Sequence, residues 1–155
     1  MTTNTVGKKR EYPTLYVVVG TPFSEKEIIS NNLSREFTPL VFSDKNLSKD
    51  LNTPEKICDF INKETHKALK QGREVLIKHS LAEKEVYRKM MIDGLNSYRK
   101  VAVFADTPMY ICEARQKRTS QNAFDLEERR RKIEVPVTKE GFDCVNINRN
   151  ILFSE

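Results

Sequence analysis

The sequence predicts an α/β protein: a five-stranded, mainly parallel β-sheet flanked by helices in three layers. Two observations carry this. Five short apolar runs rich in β-branched residues, at 14–20, 39–43, 74–80, 100–106 and 142–148, are mostly continuous rather than alternating. Strands covered on both faces read this way. Longer segments with helical spacing lie between them, and strand alternating with helix builds a parallel sheet with right-handed crossovers.

Taken in order, residues 1–12 include Lys8, Lys9 and Arg10 but no apolar stretch, so they read as a flexible basic tail and not as a signal peptide. The remainder, 13–155, is expected to be one domain. The first strand, 14–20, passes through Gly20 into a helix. The second ends in Ser43-Asp44. Residues 53–72 place Ile57, Phe60, Ile61, Ala68 and Leu69 on one helical face. Thr53 is the expected N-cap with Pro54 in the first turn, and Gly72 the expected stop. After the third strand, 81–98 spaces Tyr87, Met90, Met91, Gly94, Leu95 and Tyr98 as a second helical face, and Ser80 with Glu83 reads as a capping box. Thr107-Pro108 repeats the helix-start signal after the fourth strand. The polar stretch 113–134 reads either as a solvated helical pair or as a mobile, arginine-bearing flap.

Composition bounds the function classes. The chain has 155 residues, 38% hydrophobic and 32% charged, and Lys+Arg exceed Asp+Glu by 27 to 22, for a net charge of +5. That balance is compatible with phosphate-bearing ligands or nucleic acid without demanding either. No apolar run approaches the roughly 18–20 residues of a membrane span, so no membrane partner is expected. Cys58, Cys112 and Cys144 are odd in number and widely spaced, which suggests reduced, buried thiols and a cytoplasmic setting. His66 and His79 have no metal-ligand spacing, and no metal site is expected.

In parallel sheets of this kind ligands bind beyond the carboxyl ends of the strands, which directs attention to Gly20–Glu27. An intact phosphate loop, G-x-x-x-x-G-K-[ST], wraps phosphates with backbone N–H groups, bridges them with its lysine and holds magnesium through its hydroxyl. Here the register is Gly20-Thr21-Pro22-Phe23-Ser24-Glu25-Lys26-Glu27. The first glycine and the lysine are present; Glu25 replaces the second glycine and Glu27 the hydroxyl. A carboxylate about 5 Å from one phosphate charge costs on the order of 3 kcal/mol at an effective dielectric near 20. Ser24 and Glu27 also form a capping-box pattern, and Lys78, at the end of a strand expected beside the first, could pair with Glu25 or Glu27. Internal ion pairs would then stand where a bound nucleotide would sit.

Over 14–148 the chain resembles the polynucleotide-kinase-like branch of P-loop kinases. The resemblance rests on the loop aligned over Gly20–Ile28, on "VFSDKNL" (41–47), on "IKHSLAEKEVYR" (77–88), on Arg115 and Arg118 in "CEARQKR", and on "EVPVTKEGFDCV" (134–145). It implies a P-loop kinase-like fold with a lid at about 113–134. It also implies that Gly20, Lys26, Arg115 and Arg118 lie where ATP phosphates are gripped, and that Asp44 lies where the base for an acceptor hydroxyl stands. The chain departs from the family pattern at Phe23, Glu25, Glu27 and Lys78.

Other residues have plainer readings beside the functional ones. Asp44 also fits ordinary turn chemistry. Arg129-Arg130-Arg131-Lys132 reads as a solvated helix face or a nucleic-acid contact. His79 reads as a hydrogen-bonded bystander, and Tyr87, Tyr98 and Tyr110 as core edges. The reading that unites these observations is a degenerate P-loop kinase-fold protein, non-catalytic and with no cofactor, that binds nucleic-acid or nucleotide phosphates or a protein partner. The competing reading is an ATP-dependent kinase of a nucleotide, polynucleotide or small-molecule hydroxyl. It would take Mg-ATP, with Glu27 serving magnesium and Asp44 acting as base. A third is a purely structural subunit.

Overall fold

The computed structural model describes residues 13–119 and 125–151. The basic tail 1–12 and part of the expected lid, 120–124, lie outside the described residues, as do 152–155.

Five parallel strands form one sheet in the order β2-β3-β1-β4-β5. They are β1 (Thr14–Gly20), β2 (Leu40–Phe42), β3 (Val75–Ile77), β4 (Arg99–Ala105) and β5 (Cys144–Asn148). The helices are α1 (Lys26–Phe37), α2 (Pro54–Lys70), α3 (Glu85–Ile92), α4 (Met109–Arg118) and α5 (Leu126–Lys132), with short 3-10 turns at Ser80–Glu83 and Thr138–Glu140. β1 is central, paired in register with β3 through Leu15–Val75 and with β4 through Thr14–Arg99.

The continuous apolar run of β1 has a simple cause. Leu15, Val17 and Val19 face a core made with Cys58, Ile61, Leu69, Met91 and Leu95 from the segments around α2 and α3. Tyr16 and Val18 face the opposite side, against Ile29, Leu33 and Phe37 of α1. Successive side chains alternate between faces, and both faces are covered. Tyr16 stacks on Phe37 with ring centroids 5.5 Å apart.

β5 differs from the expected doubly buried strand. It is an edge paired only with β4 among the described strands, and just Val145 and Ile147 pack inward. Cys144 is exposed there, unlike the buried Cys58 and Cys112, which corrects the expectation of three buried thiols.

Local signals hold where they are purely local. Thr53 Oγ1 accepts the Lys56 N–H at 3.2 Å, and Pro54 opens α2. Gly72, at φ 84°, ends it: its N–H reaches the Leu69 carbonyl at 3.0 Å and the Arg73 N–H the Ala68 carbonyl at 2.9 Å. That pair of bonds is the Schellman arrangement, for which a left-handed residue suits glycine. Phe60, expected on the buried face, stands at its margin, 37% exposed, and meets Phe42 edge-on.

Three capping expectations fail. Ser80 and Glu83 lie in a 3-10 turn whose cap is His79, and α3 starts only at Glu85. Pro108, not Thr107, precedes α4. Ser24 and Glu27 form no capping box, since α1 starts at Lys26 with Glu25 as its cap residue. More distant partners claim Glu27, Glu83 and Thr107, while Ser24 Oγ accepts the Lys26 N–H two residues on.

Candidate functional site at the carboxyl ends of the strands

The loop after β1 lies at the centre of the sheet's carboxyl edge. A Cβ on Gly20 would stand 2.7 Å from Ser24 Oγ and 3.0 Å from Ala105 Cβ. The residue must therefore be glycine if the loop is to fold back against β4. Phe23 adopts φ 68°, a left-handed conformation that costs a residue with a Cβ roughly 1–2 kcal/mol. The turn is one that suits glycine, and here a phenylalanine occupies it.

Three consecutive loop amides point into the protein. Ser24 N donates to the Thr21 carbonyl at 3.2 Å, Glu25 N to Thr107 Oγ1 at 2.9 Å, and Lys26 N to Ser24 Oγ at 3.2 Å. Glu25 is fully buried, and its carboxylate lies 2.6 Å from the Arg115 guanidinium. The same guanidinium donates to the Phe23 carbonyl at 2.9 Å. Arg115 on α4 thus ties the loop down by two contacts. Glu27, exposed on the first turn of α1, pairs with Lys78 at 2.7 Å, one of the two pairings the sequence offered.

The Lys26 ammonium is half-buried and enters no ion pair among the described residues. Burial pushes its pKa down, while the fields of Glu83 and Asp44 pull it back up. Arg118, the second arginine that the resemblance assigned to a lid, is exposed and joins no ion pair among the described residues.

Asp44 and His79 come together beyond β2 and β3. Asp44 Oδ1 accepts the Ser80 N–H at 2.8 Å and lies 3.1 Å from His79 Nδ1. Burial opposes ionisation of Asp44, but the Ser80 N–H, His79 and Lys26 outweigh it and hold the carboxyl below its ordinary range. His79 Nδ1 also lies 3.1 Å from the Leu81 N–H. A neutral ring can satisfy only one of these neighbours: as a donor it serves Asp44, as an acceptor Leu81. His79 therefore has the carboxylate partner that the sequence spacing concealed, and it is no bystander to Asp44.

Burial also holds the His79 imidazole below its ordinary 6.5, against the pull of Asp44. The unfolded chain then binds a proton at higher pH than the folded chain, so stability falls as pH drops below 6.5. In His79→Asn the gap between urea midpoints at pH 7 and pH 5 is expected to shrink. An unchanged gap would refute this role.

The polar stretch 113–134 is helical at both described ends, as α4 and α5. Leu126 and Ile133 are buried, and between them Arg129 and Arg130 turn inward. Arg129 pairs with Glu83 at 3.0 Å, while Arg131 and Lys132 pair along the outer face with Glu127 and Glu128. Reading the whole basic run as one solvated face missed Arg129, Arg130 and Glu83. The signal was present, because 126, 129, 130 and 133 share one helical face. Tyr110, expected at a core edge, is 71% exposed on α4.

No protein-family model matches the chain, and no curated protein matches it in sequence. Solved structures share its fold. A sugar kinase from Janibacter sp. superposes with a TM-score of 0.60 at 12% identity over 88% of this chain and 85% of that one. Kti12 of Chaetomium thermophilum, solved in complex with ADP-AlF3, gives 0.61 at 14% identity over 87% and 88%. A gluconokinase from Sinorhizobium meliloti gives 0.52 at 16% identity over 89% and 83%. Likeness at such identities is one of fold. Five parallel strands with helices on both faces, and a glycine-led loop after the central one, give this chain a P-loop kinase-like fold.

Proposed function

We propose that this is a non-catalytic member of the P-loop kinase fold, with a degenerate loop, that works by binding a phosphate-bearing partner and not by transferring phosphate. The buried Glu25–Arg115 pair carries this reading. In the polynucleotide-kinase-like pattern that the sequence resembles, a lid arginine at this position grips ATP phosphates. Here it holds a loop carboxylate instead. Three loop amides are spent on internal acceptors, and Glu27, the one carboxylate placed for magnesium, is held by Lys78. These contacts do not fit a magnesium-bound triphosphate, whose charges would lie against Glu25. A polynucleotide or nucleotide phosphate met by outward-facing arginines is the favoured ligand, with a protein partner as the alternative.

The test is calorimetric titration of Mg-ATP and Mg-GTP into the wild type and into a folded variant carrying Phe23→Gly, Glu25→Gly, Glu27→Ser and Lys78→Asp. No magnesium-dependent binding by the wild type and micromolar, magnesium-dependent binding by the variant are expected. Magnesium-dependent binding by the wild type would overturn the reading.

One observation favours the competing kinase reading. Lys26 keeps its ammonium out of any ion pair among the described residues, and the nearby Asp44 carboxylate is held ionised. On that reading Asp44→Asn abolishes transfer to an acceptor hydroxyl without abolishing Mg-ATP binding.

A further inference from the structure

At the ends of β4 and β5, one carboxylate is shared by two guanidinium groups. Asp106 Oδ1 lies 3.5 Å from Arg130 Nη2, and its Oδ2 lies 3.2 Å from Arg149 Nε. The Asp106 N–H donates to the Asn148 carbonyl at 2.8 Å, which fixes the two strand ends side by side. Arg130 is further positioned with its guanidinium carbon 4.8 Å from the centre of the Phe104 ring. Two positive charges and one negative leave the cluster with a net positive charge. The Glu83 carboxylate is already paired with the adjacent Arg129, so it does not cancel that excess. Each guanidinium has several N–H donors, and Asp106 takes one from each. Arg149 is 73% exposed, so its remaining donors face solvent.

We propose that Arg130 and Arg149 form a clamp for one phosphate oxyanion, with Asp106 as the spacer that holds them apart, and that its ligand is the backbone of a single-stranded nucleic acid. This rests on the non-catalytic, phosphate-binding reading above and gives that reading a site. The ligand meets the guanidiniums by charge-assisted, planar contacts, the geometry for which arginine suits phosphate. Lys117 and Arg118 are exposed on α4, which packs against the α5 helix that carries Arg130, and they add positive charge of the kind an extended polyanion uses.

The experiment is a fluorescence-anisotropy titration of the full chain against a short labelled oligothymidylate at two salt concentrations. Arg149→Ala is expected to weaken binding about five- to tenfold and to lower the slope of log K against log salt by about 0.7, the value for one lost phosphate contact on a single strand. Lys70→Ala, at the opposite end of the sheet, is expected to change neither. Thermal melts establish that both variants are folded. No binding by the wild type, no effect of Arg149→Ala, or an equal effect of Lys70→Ala would each overturn the clamp. Inorganic pyrophosphate is the second arm. If it competes at matched phosphate concentration and this is lost in Arg149→Ala, the clamp stands and its ligand is a small phosphate; failure to compete supports the polynucleotide. Mg-ATP calorimetry on the same preparation reports separately on the reading beneath.

Discussion

Replacing Arg88 with alanine is expected to destabilise the protein by about 3–5 kcal/mol, the cost of leaving a buried charge without its partner. The Arg88 and Glu140 side chains are 0% and 1% exposed. Their contact is bidentate, with Nε to Oε1 and Nη2 to Oε2 both at 2.7 Å, and Arg88 Nη1 donates to the Ala82 carbonyl at 2.7 Å. Glu140 Oε2 accepts the Val137 N–H as well. The pair therefore joins α3 both to the turn just before it and to the Thr138–Glu140 turn, 52 residues on. Removing the arginine strands the buried carboxylate and leaves the Ala82 carbonyl without its donor. Glu140→Gln keeps the shape and is expected to cost less than Arg88→Ala. Denaturant unfolding measures both; a loss within 1 kcal/mol for Arg88→Ala would show that the pair is dispensable.

The second large effect is at the loop. Arg115→Ala is expected to cost about 2–3 kcal/mol, less than Arg88 because the Arg115 side chain remains 24% exposed and water screens it. The variant leaves the buried Glu25 carboxylate without its guanidinium and frees the Phe23 carbonyl. Glu25→Gln in the same background should recover more than half of the loss, since a neutral amide tolerates burial far better than an ion. A double-mutant cycle separates the pair from the carbonyl contact, with an expected coupling of about 1–3 kcal/mol. Additivity within about 0.5 kcal/mol would mean that the arginine acts through Phe23 alone.

Both effects arise between residues far apart in the chain, and they mark how much a linear reading can reach. The strand runs were legible because covering both faces of a sheet leaves continuous apolar segments, as in β1. The end of α2 was legible because Thr53, Pro54 and Gly72 act on groups within a turn of themselves. β5 was misjudged as buried because its apolar run looks like the others; only its place at the edge distinguishes it.

The site divides the same way. The sequence by itself determined that Glu25, Glu27 and Phe23 stand where the phosphate-loop kinases it resembles carry glycines and a hydroxyl, and it predicted Lys78 at the end of a neighbouring strand. Tertiary structure decided the partners. Glu25 went to Arg115, Glu27 to Lys78, and Asp44 to Ser80 and His79. Thr107, read as a helix cap, serves the Glu25 N–H instead. A capping motif describes a side chain's choice among groups one turn away. In a parallel sheet every strand ends at the same edge, so long crossovers crowd charged loops from the whole chain into one place. A partner that is tens of residues distant and partly desolvated then competes successfully with the local one.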